Sequence, residues 1–152
     1  MKADPPRPKA RLRPGVTREA LEKRIKGTLP ELIGMEFLSI EEGKITARMA
    51  VRGDLMAPNG FLHAASIIGL ADTACGLGTK VHLPEGADNF TTVELKTNFI
   101  GAVREGALVC EASLVHGGRT VQVWDALVTE EGTGKPVALF RCTQMLLASR
   151  QP

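Results

Sequence analysis

The spacing of hydrophobic and polar residues divides the chain into two helical and six strand-like stretches. Thr17 can cap a helix that runs to about Gly27, and the stretch 63–80 is apolar on nearly every side of a longer helix. In the strand-like stretches, apolar residues alternate with polar ones or occupy both faces. These strands are expected at residues 35–41, 44–52, 90–100, 106–116, 119–130 and 136–148.

The order of these elements indicates an α+β fold. Two strands precede the long apolar helix and four follow it, so strands and helices are segregated, which favours an antiparallel sheet. A helix that is apolar nearly all round must be covered, so we expect the sheet to wrap around it. This arrangement, an antiparallel sheet wrapped around one long central helix, is the hot-dog fold.

Composition narrows the class of protein. The chain has 152 residues and a net charge of +2, and most of the positive excess falls in residues 1–14, which also contain four prolines. We therefore expect a flexible basic N-terminal arm over residues 1–14 and a single domain over residues 15–150. Aromatic residues make up only 4% of the chain, and no apolar run is long enough for a membrane span, so neither a nucleic-acid nor a membrane partner is expected.

The cysteines point to a reducing compartment. The chain has three of them, widely spaced and each in an apolar run, as in a cytoplasmic protein without disulfides. Neither a CxxC pair nor a histidine-rich cluster is present, so no metal site is predicted.

A single carboxylate, Asp72, interrupts the long apolar helix. Its neighbours on the helix face are small or apolar, and no lysine or arginine lies three or four residues away. Burying a lone carboxylate is costly, so three interpretations stay open. Asp72 could cap a second helix that begins at Thr73, it could face solvent at an edge, or it could act in a dry pocket as nucleophile or general base.

The N-terminal end of the same helix offers a complementary group. Its first backbone N–H groups lack helical acceptors and carry the positive end of the helix dipole, so that of Ala64 could bind a carbonyl oxygen as charge develops there. Ala64 and Asp72 are eight residues apart, which is about 12 Å along a helix. If both act on one carbonyl, they must come from two antiparallel helices, in a twofold dimer with two shared sites.

These residues carry a resemblance to a known family. The stretch NGFLHAASIIGLADTACG, residues 59–76, resembles the HGG…LAD(T/N)A signature of hot-dog acyl-CoA thioesterases of the phenylacetic-acid-degradation (PaaI-like) type. His63 matches the motif histidine, and Asp72 follows it by nine residues, as the family places its carboxylate. Residues 90–106, FTTVELKTNFIGAVREG, look like the family's next strand and turn, and the resemblance covers about residues 30–148.

The resemblance implies hydrolysis of an acyl-CoA thioester to the free acid and coenzyme A. Asp72 would attack the carbonyl or activate a water, while the Ala64 N–H of the other subunit polarises the carbonyl oxygen. His63 and Asn59 would position the thioester, and a threonine on the next strand would orient the water or the carboxylate. It also implies a dimer or a dimer of dimers, no catalytic metal, and no cofactor beyond the coenzyme A of the substrate.

The chain departs from the family signature in the loop and at the helix start. Ala64 and Ala65 replace the motif glycines, which keeps the backbone donors but narrows the approach to them. Gly60 and Ala65 are expected to line the substrate path. The family's asparagine usually lies slightly upstream of Asn59, closer to Ala57, and we assign the role to Asn59.

Two arguments disagree on which threonine of the next strand orients the water or the carboxylate. Strict strand alternation puts Thr91 on the same face as Val93 and Leu95, toward the helix. Alignment with the family favours Thr92, and Thr92 is the residue we predict.

Further charged residues have less specific roles. Arg104 and Arg119 could bind the phosphates of coenzyme A, since guanidinium groups suit phosphate, or could be solvated turn residues. Asp125 shares an apolar strand face with Val121 and Val123, where it could be catalytic or could form an interface hydrogen bond. His63 could also serve only as a helix-start residue bonded to the backbone.

Two other functions remain open on the same fold. One is an acyl-CoA or acyl-carrier binding protein without turnover, with the catalytic site narrowed by the two alanines. The other is a hydratase or dehydratase that uses His63 and Asp72 to move protons next to a carbonyl.

Overall fold

A six-stranded sheet and one long helix form the body of the protein, in a computed structural model that describes residues 10–148. The elements are α1 (Arg18–Arg24), α2 (Leu29–Leu32), β1 (Met35–Glu41), β2 (Lys44–Ala50), a 3-10 turn (Gly53–Leu55), α3 (Ala64–Val81), β3 (Ala87–Phe99), β4 (Ala107–Gly117), β5 (Val121–Glu130) and β6 (Pro136–Ala148). The strand order is β1-β2-β4-β5-β6-β3, and every neighbouring pair is antiparallel. The predicted α+β hot-dog fold is confirmed.

The helix α3 is the centre of the core and packs against β2, β3, β4, β5 and β6. Small residues let the sheet approach it closely. At Gly78 a Cβ atom would lie only 2.8 Å from the ring of Trp124, so the indole occupies the space that any other residue would need. Within the described residues, no helix is long and apolar enough to cross a bilayer.

The elements before the sheet differ from the expectation. The predicted helix over 17–27 ends at Arg24, and a second short helix, α2, begins at Leu29. Pro30 lies in the first turn of α2, where its missing N–H costs nothing.

Part of the predicted basic arm is packed on the domain. Leu12 contacts the core, the Arg13 N–H donates to the Val81 carbonyl at 2.8 Å, and the Arg13 guanidinium donates to the Leu83 and Ala87 carbonyls at 3.0 and 2.8 Å. Arg13 thus satisfies carbonyls at the C-terminal end of α3 and beyond it. Residues 10–14 therefore belong to the packed domain, while residues 1–9 and 149–152, including the end of the predicted domain, lie outside the described residues.

A buried histidine ties the end of α3 to the β1–β2 hairpin. His82 is fully buried, its Nδ1 donates to the Gly78 carbonyl at 2.7 Å, and its Nε2 accepts from the Gly43 N–H at 2.8 Å. One ring nitrogen must donate and the other must accept, so the ring is neutral in the fold. Burial lowers the pKa of His82, although the Gly78 carbonyl and the Glu42 carboxylate act in the opposite direction.

The lowered pKa of His82 predicts that the fold loses stability in acid. Because its pKa is lowered below the unfolded-state value of about 6.5, its contribution is fully present above that pH and is lost as the pH falls toward the folded-state pKa. We expect the free energy of unfolding to fall by up to about 1.4 kcal/mol per pH unit within this window. Urea unfolding at several pH values between pH 8 and pH 5 measures this change in the free energy of unfolding.

The matched variants are His82→Gln, which should remove this pH dependence, and His116→Gln, which changes an exposed histidine and should keep it. Equal pH dependence in the wild type and His82→Gln would show that another group is responsible.

Candidate active site

The first turn of α3 leaves one backbone donor free. His63 is the N-cap, and its Nδ1 accepts from the Ala65 N–H at 2.9 Å, while its carbonyl accepts from the N–H groups of Ser66 and Ile67 at 3.0 and 3.3 Å. Among the hydrogen bonds found in residues 10–148, the Ala64 N–H has no acceptor. It therefore remains available to a ligand, at the positive end of the helix dipole.

The N-cap bond also fixes the state of the His63 ring. Nδ1 accepts a hydrogen bond and so carries no proton, which places the ring hydrogen on Nε2. His63 is exposed, so its Nε2–H can donate to a ligand. The backbone bond considered for His63 is thus present, and it leaves one donor of the side chain free.

A cavity of about 370 Å³ opens in front of this helix end. Its lining includes Asn59, Phe61, His63, Ala64, Ile67 and Phe99. The Asn59 Oδ1 accepts from the Phe61 N–H at 3.3 Å, in a turn that Gly60 allows through its φ of +83°. Ala57, the alternative position for the family's asparagine, also lines the cavity.

Asp72 lies in a second, smaller pocket on the same helix. Because α3 is continuous from Ala64 to Val81, Asp72 does not cap a separate helix. The pocket has a volume of about 180 Å³ and is lined by Asp72, Thr73, Gly76, Leu77, Phe90 and Thr92. The Oδ1 atom of Asp72 is buried and has no hydrogen-bond partner within residues 10–148, and desolvation raises the pKa of the carboxyl. A carboxylate so placed is a stronger base than one in water.

A β-bulge in β3 decides which threonine faces this pocket. Thr92 is opposite Gln144 and Glu94 is opposite Thr143, so the strand has one extra residue at Val93. The bulge reverses the alternation, so Thr92 lines the pocket, whereas Thr91 pairs with Met145 of β6. The argument from strict alternation is therefore wrong, and the predicted Thr92 lies beside Asp72.

The structure adds a polar residue behind the threonine that the sequence did not reveal. Gln144 of β6 is fully buried, and its Oε1 accepts from the Thr92 hydroxyl at 2.8 Å. Its Nε2 contacts the Cys142 Sγ at 3.3 Å. One signal could have found it, namely a glutamine at an inner-face position between Cys142 and Leu146 of an apolar strand.

The remaining candidates are not among the lining residues of either pocket. The Arg104 guanidinium lies 4.3 Å from the centre of the Phe61 ring, at the rim of the larger cavity. Arg119 is exposed in the β4–β5 turn and lines neither pocket. Asp125 pairs with Arg141 at 2.5 and 2.7 Å, on the sheet face opposite to that of its buried neighbours Trp124 and Ala126.

The two pockets lie near opposite ends of β3, and each contains one of the two groups predicted to act in catalysis. Phe99, at the end of the strand, lines the cavity with the free Ala64 N–H, while Phe90 and Thr92, near its start, line the pocket with Asp72. Each chain thus presents a donor site and a carboxylate site that face separate cavities.

Comparison with known proteins identifies the family. Residues 59–137 match the family model described as the Thioesterase superfamily. The chain is 30% identical over 115 residues to a 1,4-dihydroxy-2-naphthoyl-CoA hydrolase of Listeria monocytogenes, which covers 76% of this chain and 92% of that protein.

Solved structures agree with this match. Thioesterase HI1161 of Haemophilus influenzae superposes with a TM-score of 0.85 at 26% identity, covering 92% of this chain and 96% of that one. The PaaI protein of Escherichia coli shares the fold, with a TM-score of 0.76 at 21% identity over 86% of this chain and 91% of that one. The chain belongs to the hot-dog thioesterase superfamily and is a thioester hydrolase.

Proposed function

We propose that the protein is an acyl-CoA thioesterase that hydrolyses a coenzyme A thioester to the free acid and coenzyme A. The observation that carries the proposal is the occurrence on one helix of two groups, the half-buried carboxylate of Asp72, whose buried Oδ1 has no hydrogen-bond partner in residues 10–148, and the free Ala64 N–H. The Listeria relative, named as the hydrolase of an acyl-CoA, supports the choice of thioester.

The proposed reaction uses each group according to its chemistry. The Ala64 N–H binds the carbonyl oxygen and stabilises the negative charge that develops there. Asp72 either attacks the carbonyl carbon, after which water hydrolyses the acyl-Asp72 anhydride, or removes a proton from a water that attacks the carbon directly. In both routes the carbon–sulfur bond breaks, and the coenzyme A thiolate leaves and is protonated. The Nε2–H of His63 and the side chain of Asn59 position the thioester. Gly60 and Ala65 are exposed and are not among the lining residues of the cavity, and their contact with the substrate stays a prediction.

The substrate supplies its own coenzyme A, and the proposal requires no further cofactor or metal. Arg104, held over the Phe61 ring at the rim of the cavity, is suited to a phosphate of coenzyme A, and Arg119 is a second candidate on the β4–β5 turn. The three cysteines are buried and free, which is typical of a cytoplasmic protein, and we place the enzyme there.

We assign the active site to a homodimer because one chain cannot bring the two groups together. The supporting feature is β3, a 13-residue strand at the edge of the sheet with exposed apolar side chains. Val93, Leu95 and Phe99 are exposed by 53%, 39% and 43%. A long apolar edge strand is a template for pairing with another strand, and a second copy of β3 satisfies it.

Charge favours one register for that pairing over its neighbour. Opposed residues of an antiparallel pair share a face, so the twofold axis passes beside a residue of β3, and we compare Leu95 and Lys96, which lie between the two pocket-lining residues Phe90 and Phe99. An axis at Lys96 opposes two lysines, whereas an axis at Leu95 opposes Glu94 to the partner's Lys96. The bulge at Val93 then sets Thr92 opposite the partner's Thr97, and Phe90 opposite the partner's Phe99.

This register joins the two pockets. Phe90 lines the Asp72 pocket and Phe99 lines the Ala64 cavity, so their opposition brings the donor of one chain beside the carboxylate of the other. The Thr97 hydroxyl, which is buried and has no hydrogen-bond partner among residues 10–148, also gains the partner's Thr92 as a neighbour.

The outer face of the sheet supports a dimer of dimers. It carries the exposed apolar residues Leu127, Leu139, Met145 and Leu147. Ion pairs within the chain, such as Asp125–Arg141 and Lys44–Glu111, leave this region without a strong excess of either charge. Such a face suits a second copy better than an acidic or basic partner, and sedimentation of the wild type distinguishes a tetramer from a dimer.

The first test is thiol release from a panel of short, medium, long and aryl acyl-CoA substrates. We expect wild-type turnover, and a drop in kcat of about 10²- to 10⁴-fold in Asp72→Asn, because the amide cannot serve as base or nucleophile. Since burial raises the pKa of Asp72, activity should fall with acid at a pH above that of an ordinary aspartate. Asp125→Asn, which alters a carboxylate on the outer face, is the matched control.

Other outcomes would replace the proposal. Substrate binding without thiol release in the wild type would indicate a binding protein, and addition of water to an enoyl-CoA would indicate a hydratase. Near-full activity of Asp72→Asn would refute the assigned mechanism while leaving the enzyme assignment intact.

The shared site is tested by mixing two inactive variants. Ala64→Pro replaces the N–H donor with a ring carbon and should keep the backbone of the helix start, since proline suits the first helical position. The backbone of His63, with φ −66° and ψ 137°, also suits a residue before proline. In a mixed dimer with Asp72→Asn, one site carries both defects and the other carries neither. We expect co-refolded chains to recover about a quarter of wild-type activity.

If each site were built within one chain, every site in the mixture would keep a defect. Activity no higher than that of the two separate variants would then exclude the shared arrangement. Mixtures of each variant with itself are the controls.

The register is tested by charge reversal on β3. Glu94→Lys opposes a lysine to the partner's Lys96, and Lys96→Glu opposes two glutamates, so each is expected to weaken dimerisation by about tenfold or more. The double variant Glu94→Lys/Lys96→Glu restores opposite charges and should recover the dimer. Dissociation constants from analytical ultracentrifugation measure the effect, and a double variant weaker than both single variants would reject this register.

A further inference from the structure

We propose that Gln144 is a positioning residue that fixes the hydrogen of the Thr92 hydroxyl and thereby commits Asp72 to activating a water. This inference rests on the proposed thioesterase function, and it chooses between the two roles of Asp72 that the function leaves open.

The environment of Gln144 indicates that its amide makes its strong hydrogen bond to a residue of the Asp72 pocket. The side chain is fully buried on a strand whose inner-face neighbours, Cys142 and Leu146, are apolar. A buried amide costs stability unless it is hydrogen-bonded, and the thiol of Cys142 is a weak acceptor. The strong bond of Gln144 is therefore the one at 2.8 Å from Thr92, a residue of the Asp72 pocket.

That bond sets what Thr92 can offer to a ligand. A threonine hydroxyl has a single hydrogen, and here it is donated to the Oε1 of Gln144. Toward the pocket the Thr92 oxygen can then only accept. The ionised carboxylate of Asp72 can also only accept, so the same pocket contains two acceptors and requires a molecule with two donors between them.

Water meets this requirement, since it can donate one hydrogen to Thr92 and the other to Asp72. Its lone pair is then free to attack the thioester carbonyl carbon. In the step that follows, the water oxygen bonds to that carbon and its proton passes to Asp72. The carbon–sulfur bond breaks, and the departing coenzyme A thiolate takes the proton back from Asp72, which leaves the acid and the thiol.

The experiment is a double-mutant cycle on kcat and KM with Thr92→Val and Gln144→Met. Each single variant is expected to lower kcat by about tenfold, the effect of losing one hydrogen bond, with KM within about twofold of the wild type. Because Gln144 acts through Thr92, the double variant should fall no further than the more affected single variant. Thr92→Ser keeps the hydroxyl and should retain most of the wild-type kcat.

The matched control is Gln122→Met, a second fully buried glutamine directly opposite Gln144 on β5. Its amide bonds to the His82 carbonyl at 2.9 Å and to the Trp124 Nε1 at 3.0 Å, away from the pocket. Gln122→Met should lower the melting temperature and leave kcat unchanged. Thr92 is exposed in the single chain, so Thr92→Val reports on the site without depending on the core.

Three results would overturn the inference. The first is an unchanged kcat in Thr92→Val or Gln144→Met, and the second is a multiplicative loss of kcat in the double variant. The third is ¹⁸O in the Asp72 peptide after a single turnover in H₂¹⁸O, because label there requires an acyl-Asp72 intermediate. Each of them leaves thioester hydrolysis by the wild type intact. Absence of wild-type hydrolysis would instead refute the proposed function, and this inference with it.

Discussion

The rigidity of α3 is the constraint on which the site depends. Its first free N–H and its carboxylate are eight residues apart, about 12 Å along the axis, and a thioester carbonyl spans only a fraction of that distance. A helix packed against five strands cannot bend to bring the two groups together. If the two groups act on one carbonyl, as proposed, a second helix must complete the pair, and the sheet must offer an edge through which that helix arrives.

The strand β3 meets this requirement through one irregularity. An edge strand as long and apolar as this one promotes aggregation of a protein that stays monomeric, and the proposed dimer covers it with a second copy of β3. The extra residue at Val93 turns Thr92 toward the Asp72 pocket, and in the proposed register it sets Thr92 opposite the partner's Thr97. One local change in the backbone thus sets both the threonine predicted to act in catalysis and the residues opposed in the proposed dimer.

The limits of sequence-based prediction follow from the same features. The long helix, the sheet around it and the odd position of Asp72 could be predicted, because they depend on hydrophobic spacing and on the cost of burying a charge. The facing of Thr92 could not be derived from alternation, since a bulge has no signature in a strand of ordinary residues. The docking of Arg13 was also missed, because its partners are backbone carbonyls about 70 residues away, which no local pattern contains.

The buried polar side chains form two sets, and these differ in whether their hydrogen bonds stay within the core or reach a pocket. His82, Gln122 and Trp124 bond to one another or to backbone groups, and every bond in that set stays inside the fold. Gln144 lies directly beside Gln122 on the neighbouring strand, yet its strong bond reaches Thr92, whose remaining lone pairs face a pocket. A polar group that only stabilised the core would be satisfied there. The Thr92 oxygen and the Asp72 carboxylate, whose buried Oδ1 has no donor among residues 10–148, line one pocket as two acceptors, and together they suit one small molecule with two hydrogens.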